Sequence, residues 1–320
     1  MKEKRIVLYW LVSLIFCLGA GRPSRLCHEG YACKDPNWRF VLSDREVKAV
    51  LLAGSIGAFQ DHPYPVLIQA WCGGVEIRNL SRVGYGASQL RELWVNEVMR
   101  NRRIPSPKDG IEMWLWWAGG LNSAGSPHRT NREVWKLFVQ AHEAGYRVIG
   151  MTLTPWGSLS DRRWGGARGL FTFRNTQLVV EHVLGRLAPK EALGPFLKER
   201  PEGDVPWKPE ELAEVRVDLF DSPLRDASAP LRDLDEMRRL LMNDSRYRRE
   251  VKSLSLSASD AQLEKDAMLL AELPRWFLRK DLHAFDAIHP NREGHRLIAM
   301  ALCPKLPASW KCQCPSKRTQ

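Results

Sequence analysis

Short apolar runs rich in β-branched and aromatic residues recur along the chain, and each ends near Gly, Asn or Pro. They cover Val47–Ala53, Val75–Leu80, Ile111–Trp117, Tyr146–Thr152 and Val215–Phe220. Continuous apolarity over so few residues predicts strands buried on both faces. Between them the spacing turns helical. Arg132–Ala144 carries Val134, Leu137, Phe138 and Ala141 on one stripe, and Thr176–Leu187 carries Leu178, Val179, His182 and Val183. Strand and helix in alternation predict a parallel sheet covered on both faces, with ligands at the carboxyl ends of its strands.

Two stretches break the pattern. Residues 188–214 are rich in Pro, Glu and Lys and read as a long surface connection. Residues 221–282 read as a charged helical insertion, with Ser259-Asp260-Ala261-Gln262 as a capping box and Pro274 as a stop. Its mixed charge favours a solvated decoration over a lid that covers substrate. No internal repeat is present.

Composition narrows the class. A chain of 320 residues, 44% hydrophobic and 27% charged, holds enough core for one large α/β domain or two small ones. The formal net charge of +11 favours anionic surroundings such as acidic glycans or phospholipid head groups. Nucleic acid is not expected, because no zinc-finger spacing, RNA-recognition signature or basic heptad occurs.

The amino terminus adds a compartment. Lys2, Glu3, Lys4 and Arg5 precede the apolar run of residues 6–21, closed by small residues. This is the layout of a secretory signal peptide over residues 1–20, or of an uncleaved anchor giving membrane association. Six of the seven cysteines lie beyond it: Cys27, Cys33, Cys72, Cys303, Cys312 and Cys314. An even count in an exported chain predicts disulfides, and six cysteines allow 15 pairings. Their clustering predicts termini stapled to the domain or to each other. The organisation expected is a cysteine-containing extension over 21–46, a domain over 47–302 and a cysteine-containing basic tail over 303–320.

The strand ends carry the candidate chemistry. The first delivers Ser55 into Ala53-Gly54-Ser55-Ile56-Gly57. This is no P-loop, since no Lys-Ser/Thr follows, and no dinucleotide fingerprint. It lies one residue from the G-x-S-x-G elbow. The second strand runs on to Gly84, and the third to Gly120 and Asn122. Near the other end lie Asp286 and His289, three apart, before a helix whose apolar face is Leu297, Ile298, Ala301 and Leu302. A serine hydroxyl needs a base, which His289 supplies, and Asp286 is placed to fix the histidine tautomer. Backbone N–H groups at Ser55 and Gly84, with the Asn122 amide, are suitable oxyanion donors.

These four blocks, in this order over roughly residues 47–302, resemble the SGNH hydrolases, also called GDSL esterases and lipases. The resemblance implies a flavodoxin-like three-layer α/β/α sandwich on a five-stranded parallel sheet. It implies Ser55 as nucleophile, Asp286 and His289 as its partners, and Ser55, Gly84 and Asn122 as the oxyanion hole. It implies no metal and no cofactor. Two positions depart from the family pattern: Gly54 and Ser123 stand where it often has aspartate. The function expected is a secreted or envelope serine esterase acting on an acylated glycan, with a non-catalytic carbohydrate-binding protein and a membrane-associated lipase as competing readings. In the loop after the fourth strand, Trp156, Arg162, Arg163 and Trp164 either contact substrate or pack beneath the loop.

Overall fold

A computed structural model describes residues 29–35, 37–107, 110–252 and 256–315. The signal-like segment and Cys27 lie outside the described residues. Five parallel strands form one sheet: β1 (Val47–Ala53), β2 (Val75–Asn79), β3 (Glu112–Ala118), β4 (Arg147–Met151) and β5 (Val215–Val217). Their order is β2-β1-β3-β4-β5, the flavodoxin-like arrangement whose switch point lies between β1 and β3. Val47 aligns with both Val75 and Glu112, so the carboxyl ends of β1, β2 and β3 reach one level.

Helices cover both faces. In chain order they are α1 (Tyr64–Trp71), α2 (Ala87–Leu93), α3 (Pro127–Glu143), α4 (Arg168–Val183), α5 (Pro189–Leu193), α6 (Leu234–Asn243), α7 (Ser245–Val251), α8 (Leu256–Glu272) and α9 (Arg292–Leu302). Side chains alternate along a strand. Ala49, Leu51, Trp114 and Trp116 therefore face α1 and α9, while Val50, Leu52, Leu115 and Trp117 face α2 and α3. Both faces of β1 are fully buried, which is why its sequence shows no polar alternation.

The open edge of β2 is covered by the segment that precedes β1. Cys33 N–H donates to the Asn79 carbonyl at 2.8 Å, and Glu76 accepts from the backbone N–H of Val41 and Leu42. Lys48 reaches the same carboxylate at 3.0 Å and Arg78 at 3.6 Å, so the one acid inside β1 and β2 is shared by their two bases. A covered edge cannot pair with another chain.

The carboxyl-terminal tail is part of the core. Trp310 is buried edge-on against Trp114 and Trp116, with centroids 6.2 and 6.3 Å away. Disulfides Cys72–Cys312 and Cys303–Cys314 hold the tail against the end of α1 and the end of α9. Cys33 is also disulfide-bonded.

The stretch 188–214 differs from its sequence reading as a surface connection. It carries α5 and a buried ion pair in which Arg200 donates two bonds of 2.7 Å to Glu211. Trp135 of α3 donates a third at 2.9 Å, so charge is drawn inside because every acceptor is matched. Among the described residues, the insertion over 221–282 contains three α-helices. It is more than decoration, because Met237, Leu241, Tyr247, Ala267 and Leu270 build a third core against α4. Helix α8 also begins at Leu256, a turn before Ser259, and it ends at Glu272 ahead of Pro274.

Candidate active site

Strand β1 ends at Ala53 and the chain turns at once. The Ala58 N–H donates to the Gly54 and Ser55 carbonyls at 3.2 and 3.1 Å, and no regular helix begins before Tyr64. Ser55 therefore sits in a turn and not at the start of a helix. Two glycines and Pro63 within ten residues explain this, since each disfavours a helix interior. Gly57 is required by space: a β-carbon there would sit 2.5 Å from both Ala53 Cβ and Ser81 Oγ.

The turn is anchored from β2. Asn79 is fully buried, and its amide donates to the Gly57 and Gly30 carbonyls at 2.8 Å each, while its oxygen accepts the Ser81 N–H at 2.9 Å. Replacing Asn79 with alanine strands two buried carbonyls. A loss of about 3 kcal/mol is expected in chemical denaturation, at about 1–3 kcal/mol for each unpaired group. A loss below about 0.5 kcal/mol would mean that the turn holds itself, since that is the size of a neutral surface change.

The other half of the site is the loop before α9. Asp286 Oδ1 accepts the backbone N–H of Ile288 at 2.8 Å and of His289 at 2.7 Å, so one carboxylate folds the loop. The same group meets His289 Nδ1 at 2.9 and 3.0 Å. On the far side of the ring, Nε2 lies 2.8 Å from Ser55 Oγ, a contact made across 234 residues of sequence. Burial alone would raise the Asp286 pKa. The His289 and Ile288 N–H groups and the His289 ring outweigh it and hold the carboxyl below its usual range. An ionised Asp286 fixes the proton on Nδ1 and leaves the Nε2 lone pair for the serine hydroxyl. Asn291 caps α9, so the helix begins just after this loop, with Pro290 ahead of the cap.

Asn122 follows β3 and donates to the Tyr85 carbonyl at 3.1 Å, which uses one of its two amide N–H groups. A β-carbon on Gly54 would stand 3.3 Å from that amide nitrogen. Glycine at 54 thus gives Asn122 its room, a physical reason for the first departure from the family pattern. Ser123 accepts the Ala87 N–H at 3.1 Å and donates to the Gly120 carbonyl at 3.2 Å. It ties α2 to the end of β3, work that an aspartate could share. Gly84 lies exposed in the loop after β2 with φ 80°, beside the Tyr85 carbonyl that Asn122 holds. It does not line the cavity described next.

A cavity of about 350 Å³ opens beside Ser55 and His289. Asn122, Trp156 and Arg163 line it, as do Thr172, Asn175 and Thr176 of α4. These three fall at helical spacing on one face. They were legible as a polar stripe, but the predicted helix began only at Thr176. Of the four loop residues singled out, Trp156 and Arg163 reach the cavity and Arg162 is exposed outside it. Trp164 corrects the sequence expectation of substrate contact: it is fully buried beneath the loop, edge-on to Trp156 at 4.8 Å and to Phe277 at 5.2 Å. Arg163 lies over the Trp156 ring at 4.7 Å and is already paired with Asp161 at 2.6 Å.

An aromatic stack supports the His289 ring. Phe285, 73% exposed, lies on the His289 ring at 4.7 Å, and Phe59 lies on His295 at 4.8 Å. His295 is buried, and burial, with the His289 charge adding to it, lowers its pKa to about 3. It is a packing group and not a second base. Burial likewise lowers His182 to about 4. Both histidines take up a proton more readily when unfolded, so their contribution to stability is complete above pH 6.5 and lost as pH falls. At pH 4.5 the expected loss is about 3 kcal/mol for His295, at 1.4 kcal/mol per pKa unit. Urea titrations at pH 7.5 and 4.5 on the protein and its His295→Phe variant check this, and an unchanged pH dependence in the variant counts against it.

No family model matches the chain, and no curated protein matches it. Solved structures with a similar chain path include Axe2, an acetylxylan esterase from Geobacillus stearothermophilus, at 13% identity and a TM-score of 0.40, over 85% of this chain and 98% of that one. A lipolytic G-D-S-L family protein from Veillonella parvula matches at 13% and 0.40, over 80% and 96%. A putative acylhydrolase from Bacteroides fragilis matches at 12% and 0.42, over 88% and 91%.

Proposed function

We propose that the protein is an SGNH-type serine esterase that hydrolyses a carboxylic ester through an acyl-enzyme. One observation carries the reading: Ser55, His289 and Asp286, from opposite ends of the chain, form one continuous line of hydrogen bonds at the carboxyl end of the sheet. His289 takes the Ser55 proton as the hydroxyl oxygen attacks the ester carbonyl. It then returns that proton to the leaving alcohol, and water repeats the cycle on the acyl-enzyme. Asp286 remains ionised and stabilises the imidazolium. The Ser55 N–H and the second Asn122 amide N–H hold the oxyanion.

The substrate is proposed to be a short O-acyl group on a polar alcohol, such as a glycan. Thr172, Asn175 and Thr176 give the cavity a hydroxyl and amide wall in place of an acyl-chain groove. Export to the envelope or medium fits the amino-terminal segment and the disulfides. Among the described residues no helix is long and apolar enough to cross a membrane.

Hydrolysis of p-nitrophenyl acetate by residues 21–320, with labelling of Ser55 by a fluorophosphonate, tests the reading. We expect labelling, and kcat/KM at least about tenfold higher for acetate than for octanoate, since a few unaccommodated methylenes cost a few kcal/mol. A folded protein that neither turns over nor labels is a binding module. A preference for octanoate makes it a lipase.

A further inference from the structure

The second cavity of note, about 450 Å³, lies between the loop after β4 and the insertion. It falls within the range of small-molecule sites. Its wall is largely apolar, built from Leu159, Pro230, Leu231, Phe277 and Leu278. Two cations line it as well, Arg232 and Lys280. Neither forms an ion pair with an acid among the described residues. Arg232 Nη1 is buried without a hydrogen-bond partner. Burial lowers the pKa of this guanidinium, against a smaller opposing effect from Glu236. A partly buried guanidinium with no carboxylate partner gains from an anion that pairs with its accessible N–H groups. The acid on this wall, Asp226, already accepts the Ser228 hydroxyl at 3.1 Å. His283 lines the same wall, with its Nε2 held by the Leu278 carbonyl at 3.0 Å.

We propose that this cavity binds a carboxylate carried on a hydrocarbon body, with the carboxylate on Arg232 and Lys280 and the hydrocarbon against Leu231 and Phe277. The site is separate from the proposed active site and does not depend on the esterase reading. It lies behind the triad loop: the Gly157 N–H in its wall donates to the Ala287 carbonyl, between Asp286 and Ile288, at 2.7 Å.

The test is calorimetric titration of the whole protein with decanoate, decanol and glucuronate. Saturable decanoate binding is expected, at least tenfold tighter than either of the others. It should persist in Gly125→Trp, which fills the active-site cavity where Gly125 faces open space. It should weaken about tenfold in Arg232→Met and, should that variant not fold, in the surface variant Lys280→Met. No saturable binding overturns the proposal, and so does decanol binding as tightly as decanoate. Binding lost in Gly125→Trp but kept in the cation variants assigns the ligand to the other cavity and also overturns it. Glucuronate binding as tightly as decanoate replaces the hydrocarbon acid with a sugar acid and overturns the assignment.

Discussion

Ser55→Ala should lower kcat on p-nitrophenyl acetate by about 10⁴-fold or more, with KM nearly unchanged, as expected when a nucleophile acting within a triad is removed. The hydroxyl is small, and the turn that carries it is held by Asn79 and Gly57, so the fold and the cavity survive the change. Asp286→Asn should cost about as much for a different reason, the wrong tautomer of the ring, an effect of about 10⁴-fold where it has been measured in such triads. An asparagine oxygen can still accept the Ile288 and His289 N–H groups, so the loop stays folded. Its amide would then donate to Nδ1, move the ring proton to Nε2 and leave Ser55 without a base. Steady-state kinetics on both variants decide this. A Ser55→Ala enzyme that keeps more than about 1% of its activity would exclude Ser55 as the nucleophile.

The second large effect concerns the tail. Cys72 and Cys312 close a loop of 240 residues. On the chain-entropy account, opening it by replacing both cysteines with serine costs about 5 kcal/mol, against about 3 kcal/mol for the 11-residue separation of Cys303–Cys314. For a chain of this size the first change corresponds to a fall in Tm of about 8 °C. Scanning calorimetry of the two double variants should rank them in that order. The reverse order would mean that Trp310 and its two tryptophan neighbours hold the tail without the crosslink.

Strands β1 and β2 were legible because their burial is complete, whereas β5 is partly buried and ends at Val217, short of the run read from the sequence. A run such as Val47–Ala53 has no polar face to hide, and its end before Gly54 is marked by the sequence itself. The Asp286–His289 contact was legible for a related reason: the two share one short loop, so their spacing survives in one dimension. What stayed hidden depends on partners far along the chain. Arg200 and Glu211 lie in a stretch whose composition says surface, and only the arrival of Trp135 and several backbone carbonyls makes them core. Trp164 sits in a loop full of arginine and glycine, yet the insertion covers it through Phe277. The Phe285 ring against His289, and the Thr172 face of α4 across the cavity, likewise need the fold before they have a meaning.

The buried tail has a practical use. Trp310 and its disulfides meet the sheet at the amino ends of its strands, where Gly74 N–H donates to the Trp310 carbonyl and Ser309 reaches Glu112. Ser55, Asn122 and His289 gather at the opposite ends. A chain tethered to a bead or a cell wall by residues after Cys314 would therefore present its cavity outward, toward whatever insoluble polymer it is brought against.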